Sequence, residues 1–144
     1  MTRVDFYVLD GGGDARERFA CRLTEKIYRL GHRILVHPQG AAHVRELDRL
    51  LWTWRDGSFV PHLAWEAGID PEDADATPVI VGDGGEPAVD ADVLVNLSDE
   101  VPAFFSRFER VAEIVDGDPA RRSRSRERFA FYRDRGYPMD THRI

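Results

Sequence analysis

Residues 78–97 read Pro-Val-Ile-Val-Gly-Asp-Gly-Gly-Glu-Pro-Ala-Val-Asp-Ala-Asp-Val-Leu-Val-Asn-Leu, and this stretch decides the fold. Two runs within it, Pro78-Val79-Ile80-Val81 and Asp92-Val93-Leu94-Val95-Asn96-Leu97, are apolar almost without interruption and rich in β-branched residues. A strand with one face in water would alternate apolar with polar residues. Near-continuous runs predict strands covered on both faces, as in a parallel sheet between helical layers. Gly82-Asp83-Gly84-Gly85-Glu86-Pro87 between them reads as a turn region.

The chain upstream fits that reading. Val4-Asp5-Phe6-Tyr7-Val8-Leu9 is a strand pattern that stops at Asp10-Gly11-Gly12-Gly13. Asp14 is placed to cap a helix whose apolar stripe is Phe19, Leu23, Ile27 and Leu30, with Gly31 at its C-terminal cap. Arg33-Ile34-Leu35-Val36 predicts a second strand. After Gly40 a helix to about Trp54 would bury Val44, Leu47, Leu51 and Trp54. Residues Arg55 to Thr77 show no clean period and read as a long irregular connection. Downstream, Pro102 opens a short helix with Phe104, Phe105 and Phe108. Arg110-Val111-Ala112-Glu113-Ile114-Val115 is a last strand, and Pro119 to about Arg135 a last helix ended by Gly136. Strands alternating with helices predict an α/β fold, a three-layer α/β/α domain with a mostly parallel sheet. At 144 residues and 42% hydrophobic composition, the expectation is a single domain over 1–144.

Composition narrows the function classes. No run reaches the roughly 18 apolar residues of a membrane span, and the N-terminus lacks the apolar core of a signal peptide, so the expected location is cytoplasmic. The single cysteine, Cys21, excludes an internal disulfide and reads as a buried thiol. The net charge of −6 argues against a protein that coats nucleic acid. That figure hides an asymmetry: residues 119–144 carry eight arginines against Glu127, Asp134 and Asp140, a balance of +5. The first 118 residues carry 12 Lys and Arg against 23 Asp and Glu, a balance of −11. An acidic body bears a basic C-terminal helix.

The chemistry of common enzymes is missing from the pattern. Gly11-Gly12-Gly13-Asp14-Ala15-Arg16 matches neither the dinucleotide fingerprint nor the P-loop, and Asp14 would repel a phosphate. His32, His37, His43, His62 and His142 include no pair at i, i+4, so a one-helix zinc site is not expected. Asp70, Glu72, Asp73 and Asp75 lack a calcium-loop glycine, and Ser58, Ser98 and Ser106 stand in no nucleophile-elbow context. No cofactor is expected.

Two segments look suited to partners. At 100° per residue, Arg122, Arg126, Phe129 and Arg133 fall within about 60° of one another, a basic stripe with one aromatic member. Such a face suits carboxylates or phosphates. Read from pattern alone, it is either a partner site, a platform for single-stranded nucleic acid, or a solvated face docked on the acidic body. Trp52 lies roughly 120° from the predicted core stripe of its helix, and Phe59 follows on the connection. These two are either an exposed interface anchor or covered by the loop.

The ordered set Val4-Asp5-Phe6-Tyr7-Val8-Leu9, Leu47-Asp48 with Leu51-Trp52, Ser58-Phe59-Val60-Pro61-His62, Asp92-Val93-Leu94-Val95-Asn96-Leu97, and Arg126-Glu127-Arg128-Phe129 with Tyr132-Arg133 and Gly136-Tyr137 resembles the chi subunit family of bacterial DNA polymerase III. The resemblance spans nearly the whole chain. It implies a Rossmann-like fold without a nucleotide site and a non-catalytic adaptor of the clamp loader. It implies one site for the acidic C-terminal tail of single-stranded DNA-binding protein (SSB) at Arg122, Arg126 and Phe129, with Val115 nearby. A second site, for the psi subunit or a helicase-like protein, would lie at Trp52 and Phe59. The basic side chain expected after the aromatic is replaced by Ala130, and Arg133 stands on the same face to supply the charge.

Overall fold

The computed structural model describes every residue except Ala67 and Ala88. Its strands are β1 (Arg3–Val8), β2 (Ile34–His37), β3 (His62–Ala64), β4 (Val79–Val81), β5 (Val93–Asn96), β6 (Arg110–Val115) and β7 (Met139–Arg143). They form one sheet in the order β3-β4-β2-β5-β6-β1-β7, and every neighbouring pair is parallel. The register accounts for the unbroken apolar runs. Ile80, Leu35 and Leu94 align in a row on one face, and Val81, Val36 and Val95 in a row on the other; all six are at most 2% exposed. Each fully buried side chain of this size contributes about 1.5–3 kcal/mol.

Helices cover both faces. α1 (Ala15–Arg29) and α2 (Ala41–Thr53) bury Ala20, Cys21, Leu23, Leu47, Leu50 and Leu51 against one. α3 (Pro71–Ala76), a 3-10 turn at Phe105–Arg107 and α4 (Pro119–Asp134) pack Ala74, Phe105 and Tyr132 against the other. This is the expected three-layer α/β/α arrangement, with the sheet parallel throughout.

Several local expectations need correction. The connection from Arg55 to Thr77 contains β3 and α3. β3 is only three residues long and is held by backbone pairing to β4, so it shows no period. α3 buries only Ala74, although Asp70 caps it by accepting from Glu72 N at 2.9 Å and Pro71 stands at its first position. β7 pairs with β1 through a Met-Asp-Thr-His-Arg segment that has no strand-like apolar pattern. Leu30, on the predicted buried stripe, is 67% exposed because it stands at the helix cap, where no element covers it. Asp14 makes no cap bond; its carboxylate takes Arg18 at 2.8 Å. On α2, Leu50 belongs to the core, whereas Val44 and Trp54 are half-buried. The helix expected from Pro102 is one 3-10 turn, with Phe105 and Phe108 buried.

α4 stops where predicted. Gly136 adopts φ +77°, its N–H donates to Arg133 O at 3.0 Å, and Tyr137 N–H reaches Tyr132 O at 3.2 Å, the bond pair of a Schellman cap.

Candidate partner-binding surfaces

α4 starts at Asp118, whose carboxylate accepts from Arg121 N at 2.9 Å, with Pro119 at the first helical position. Behind the cap, the buried Asp116 receives the Arg121 guanidinium at 3.1 Å. A helix N-terminus at the end of a parallel strand is the usual seat of a nucleotide phosphate. Here it faces the protein's own carboxylates. The glycine loop after β1 is also closed by its own backbone: Gly117 N–H donates to Gly11 O at 2.9 Å, and a Cβ on Gly117 would lie 2.5 Å from Asp10 O.

The predicted stripe lies along one flank of α4. Arg126 and Arg133 are exposed, with Arg133 beside Asp134 at 3.1 Å and Arg126 in no ion pair among the described residues. Phe129 is half-buried and meets Phe6 edge-on at 5.3 Å. Arg122 is tethered: its Nε donates to Asp116 O at 2.8 Å and a terminal nitrogen to Leu9 O at 3.3 Å. Val115 ends β6 at 9% exposure on the sheet face that α4 covers, and Ala130 is half-buried. The four stripe residues thus share a flank, with one cation fixed and two projecting.

The orientation of that flank is set by residues whose role the sequence reading did not assign. Glu113 in β6 is fully buried and receives Arg128 Nε at 2.9 Å, Tyr132 Oη at 2.8 Å and Asn96 Nδ2 at 2.9 Å. Arg128 also donates to Asp99 O at 3.0 Å and Ser125 Oγ at 3.0 Å. Burial pushes the Glu113 carboxyl up, opposed by Arg128 and the other donors, and burial beside Glu113 likewise raises Tyr132. Ser125, Arg128 and Tyr132 form the inward face of α4, which leaves Arg126, Phe129 and Arg133 on its side. The available signal was a lone glutamate inside the apolar run Val111–Val115: a charge there needs a partner from the covering layer.

The second surface lies at the end of α2. Trp52 is 52% exposed and Phe59 65%, with ring centroids 6.0 Å apart. The connection therefore does not cover Trp52. Below it stands His62, 4.4 Å from the Trp52 ring, with Nδ1 against Val60 O at 2.7 Å and Nε2 against Asp48 O at 3.1 Å. Glu25 of α1 holds the loop that presents Phe59, accepting from Arg55 at 2.6 Å and Ser58 Oγ at 2.9 Å. Burial pushes the Glu25 carboxyl up, but Ser58 and Arg55 outweigh it and lower it overall.

The family model described as DNA polymerase III chi subunit, HolC, matches residues 1–140. The chain belongs to the DNA polymerase III chi subunit family. A chi subunit from Pseudomonas aeruginosa is 45% identical over 145 residues, covering 100% of this chain and 98% of that protein. The Haemophilus influenzae chi subunit is 32% identical over 130 residues, covering 89% and 87%. The Escherichia coli chi subunit is 28% identical over 146 residues, covering 98% and 97%. Among solved structures, the crystal structure of T4 UvsW aligns with a TM-score of 0.71 at 10% identity. The alignment covers 99% of this chain but 41% of that one, and shows a shared fold alone. Membership in the chi family makes this chain an accessory subunit for DNA replication. Among the described residues, no helix is long and apolar enough to cross a membrane, and no group of three His, Cys, Asp or Glu is placed to hold a metal ion.

Proposed function

We propose that residues 1–144 act as one non-catalytic, cytoplasmic adaptor domain of the DNA polymerase III clamp-loader assembly. The α4 flank holds the acidic C-terminal tail of SSB, and the Trp52–Phe59 surface holds psi or, in its place, a helicase-like protein. The observation that carries this reading is the combination on α4 of projecting Arg126 and Arg133, tethered Arg122 and the half-buried Phe129 ring. Guanidinium groups fork onto carboxylates, and the aromatic edge beside them offers an apolar contact for a terminal phenylalanine. Arg133 supplies the charge that Ala130 lacks. The aromatic pair on the opposite helical layer has the composition of an interface anchor, two large rings largely in water on a fixed base.

Calorimetry with an acidic peptide ending in Phe tests the α4 site. Arg126→Ala is expected to weaken binding about tenfold, equivalent to roughly 1.4 kcal/mol, and added salt to weaken it further. Equal affinity for wild type and variant would place the tail elsewhere. Tight binding of a bare single-stranded oligonucleotide by the chain alone would instead favour direct nucleic-acid recognition, which the net charge of −6 opposes.

A further inference from the structure

We propose that the groove between α1 and the end of α2 is a second docking site, for an acidic peptide whose carboxylates alternate with apolar side chains. It adjoins the α4 flank only where Leu9, in the lining of the first cavity, accepts from Arg122, and it does not depend on the reading of that flank. Arg18, Arg22, Lys26 and Arg29 recur on α1 at spacings of four, four and three residues, which keeps them within about 80° on the helix. Beside this comb run two adjoining cavities of ≈ 540 Å³ and ≈ 470 Å³, both lined by Arg22 and Trp54. Phe19 and Ile144 give the first apolar wall, and the exposed Leu30 closes the second.

Charge complementarity selects the occupant. Arg22 and Lys26 make no ion pair among the described residues, and Arg29 and Arg55 share the one buried carboxylate of Glu25. Arg18 is met by the exposed Asp14, and Asp10, which also lines the first cavity, lies 4.0 Å from Arg122, so Arg18, Arg22, Lys26, Arg29 and Arg55 face Asp10, Asp14 and Glu25. Cations therefore exceed anions along the groove, although the first 118 residues as a whole are acidic. A nucleic-acid strand would need aromatic faces free for base stacking. Trp54 does not provide one, because it is half-buried and the Arg55 guanidinium lies 5.3 Å over its ring. Apolar walls between rows of cations suit Leu or Phe side chains set between Asp or Glu. From Arg18 to Arg29 the helix rises about 16 Å, the span of roughly five residues of extended peptide.

The probe is the synthetic hexapeptide Asp-Leu-Asp-Phe-Asp-Leu, amidated so that it presents no terminal carboxylate, titrated into the ¹⁵N-labelled full chain. The expected result is a shift of the Trp54 indole and of the α1 amides from Arg18 to Leu30. Arg22→Ala combined with Lys26→Ala should weaken this binding at least tenfold while the rest of the spectrum stays dispersed. Arg126→Ala should leave it unchanged. Three outcomes would overturn the proposal: no α1 shifts at millimolar peptide, shifts confined to α4 that vanish with Arg126→Ala, or stronger binding of a 15-mer oligothymidylate at the same α1 residues. Failure of the α4 reading would appear separately, as tail-peptide affinity insensitive to Arg126→Ala with these α1 shifts intact.

Discussion

Glu17 shows how one residue near a helix start can govern acid stability. It is buried in the first turn of α1, paired with Arg16 at 2.9 Å and His43 Nε2 at 3.2 Å. Because His43 Nδ1 accepts from Gln39 N at 3.0 Å, Nε2 carries the proton that Glu17 receives. Burial pushes the carboxyl up, but His43 and Arg16 outweigh it and hold it down at about 2. A folded-state value below the unfolded one stabilises the fold above the unfolded value, and that stability is lost as pH falls toward the folded one. The loss should fall between about pH 4.5 and 2 and amount to at most roughly 3 kcal/mol. Circular dichroism of Glu17→Gln should accordingly show a flatter acid limb over that range. Nearby Cys21 is 1% exposed and burial pushes its thiol up to about 12, so a disulfide reagent should label it only as the chain unfolds. The buried cysteine was legible from the sequence. The Glu17–His43 pair was not, because 26 residues separate the partners and nothing in either local pattern couples them.

At the scale of the element, α4 rests on a buried ion pair. Removing Arg128 strands Glu113 at full burial, so Arg128→Ala should destabilise the fold by about 3–5 kcal/mol in urea titration. Tyr132→Phe removes one of several donors to the same carboxylate and should cost about 1 kcal/mol. If Arg128→Ala melted like wild type, α4 would be held by its aromatic contacts alone. The helix over residues 119–135 was readable in the sequence between Pro119 and Gly136, and with it the shared flank of Arg122, Arg126, Phe129 and Arg133. Which arginines point inward was not: Arg126 and Arg128 look alike in a run of arginines. Only the Glu113 carboxylate beneath the helix separates an exposed cation from one at 5% exposure.

Across the molecule, the α4 flank and the Trp52–Phe59 surface lie on opposite helical layers, α4 over one face of the sheet and the end of α2 over the other. Among the described residues, none of one is in the hydrogen-bond network of the other, so single substitutions should act independently. Under the proposed function, Trp52→Ala or Phe59→Ala should abolish co-purification with psi while leaving tail-peptide affinity within twofold of wild type. Joint loss of both activities would signal damage to the shared sheet. By itself the sequence determined the layered α/β class, most strands and the three longer helices, and it put forward both candidate surfaces. Those features follow from local period and composition: apolar runs buried on two faces, helical stripes, and a tryptophan off the core face. Tertiary structure alone decided the place of β3 and β7 in the sheet, the exposure of Trp52, and the arginine that α4 buries. Edge strands are held by backbone pairing to distant partners, as β7 is to β1, and a side chain's exposure depends on what the rest of the chain lays over it.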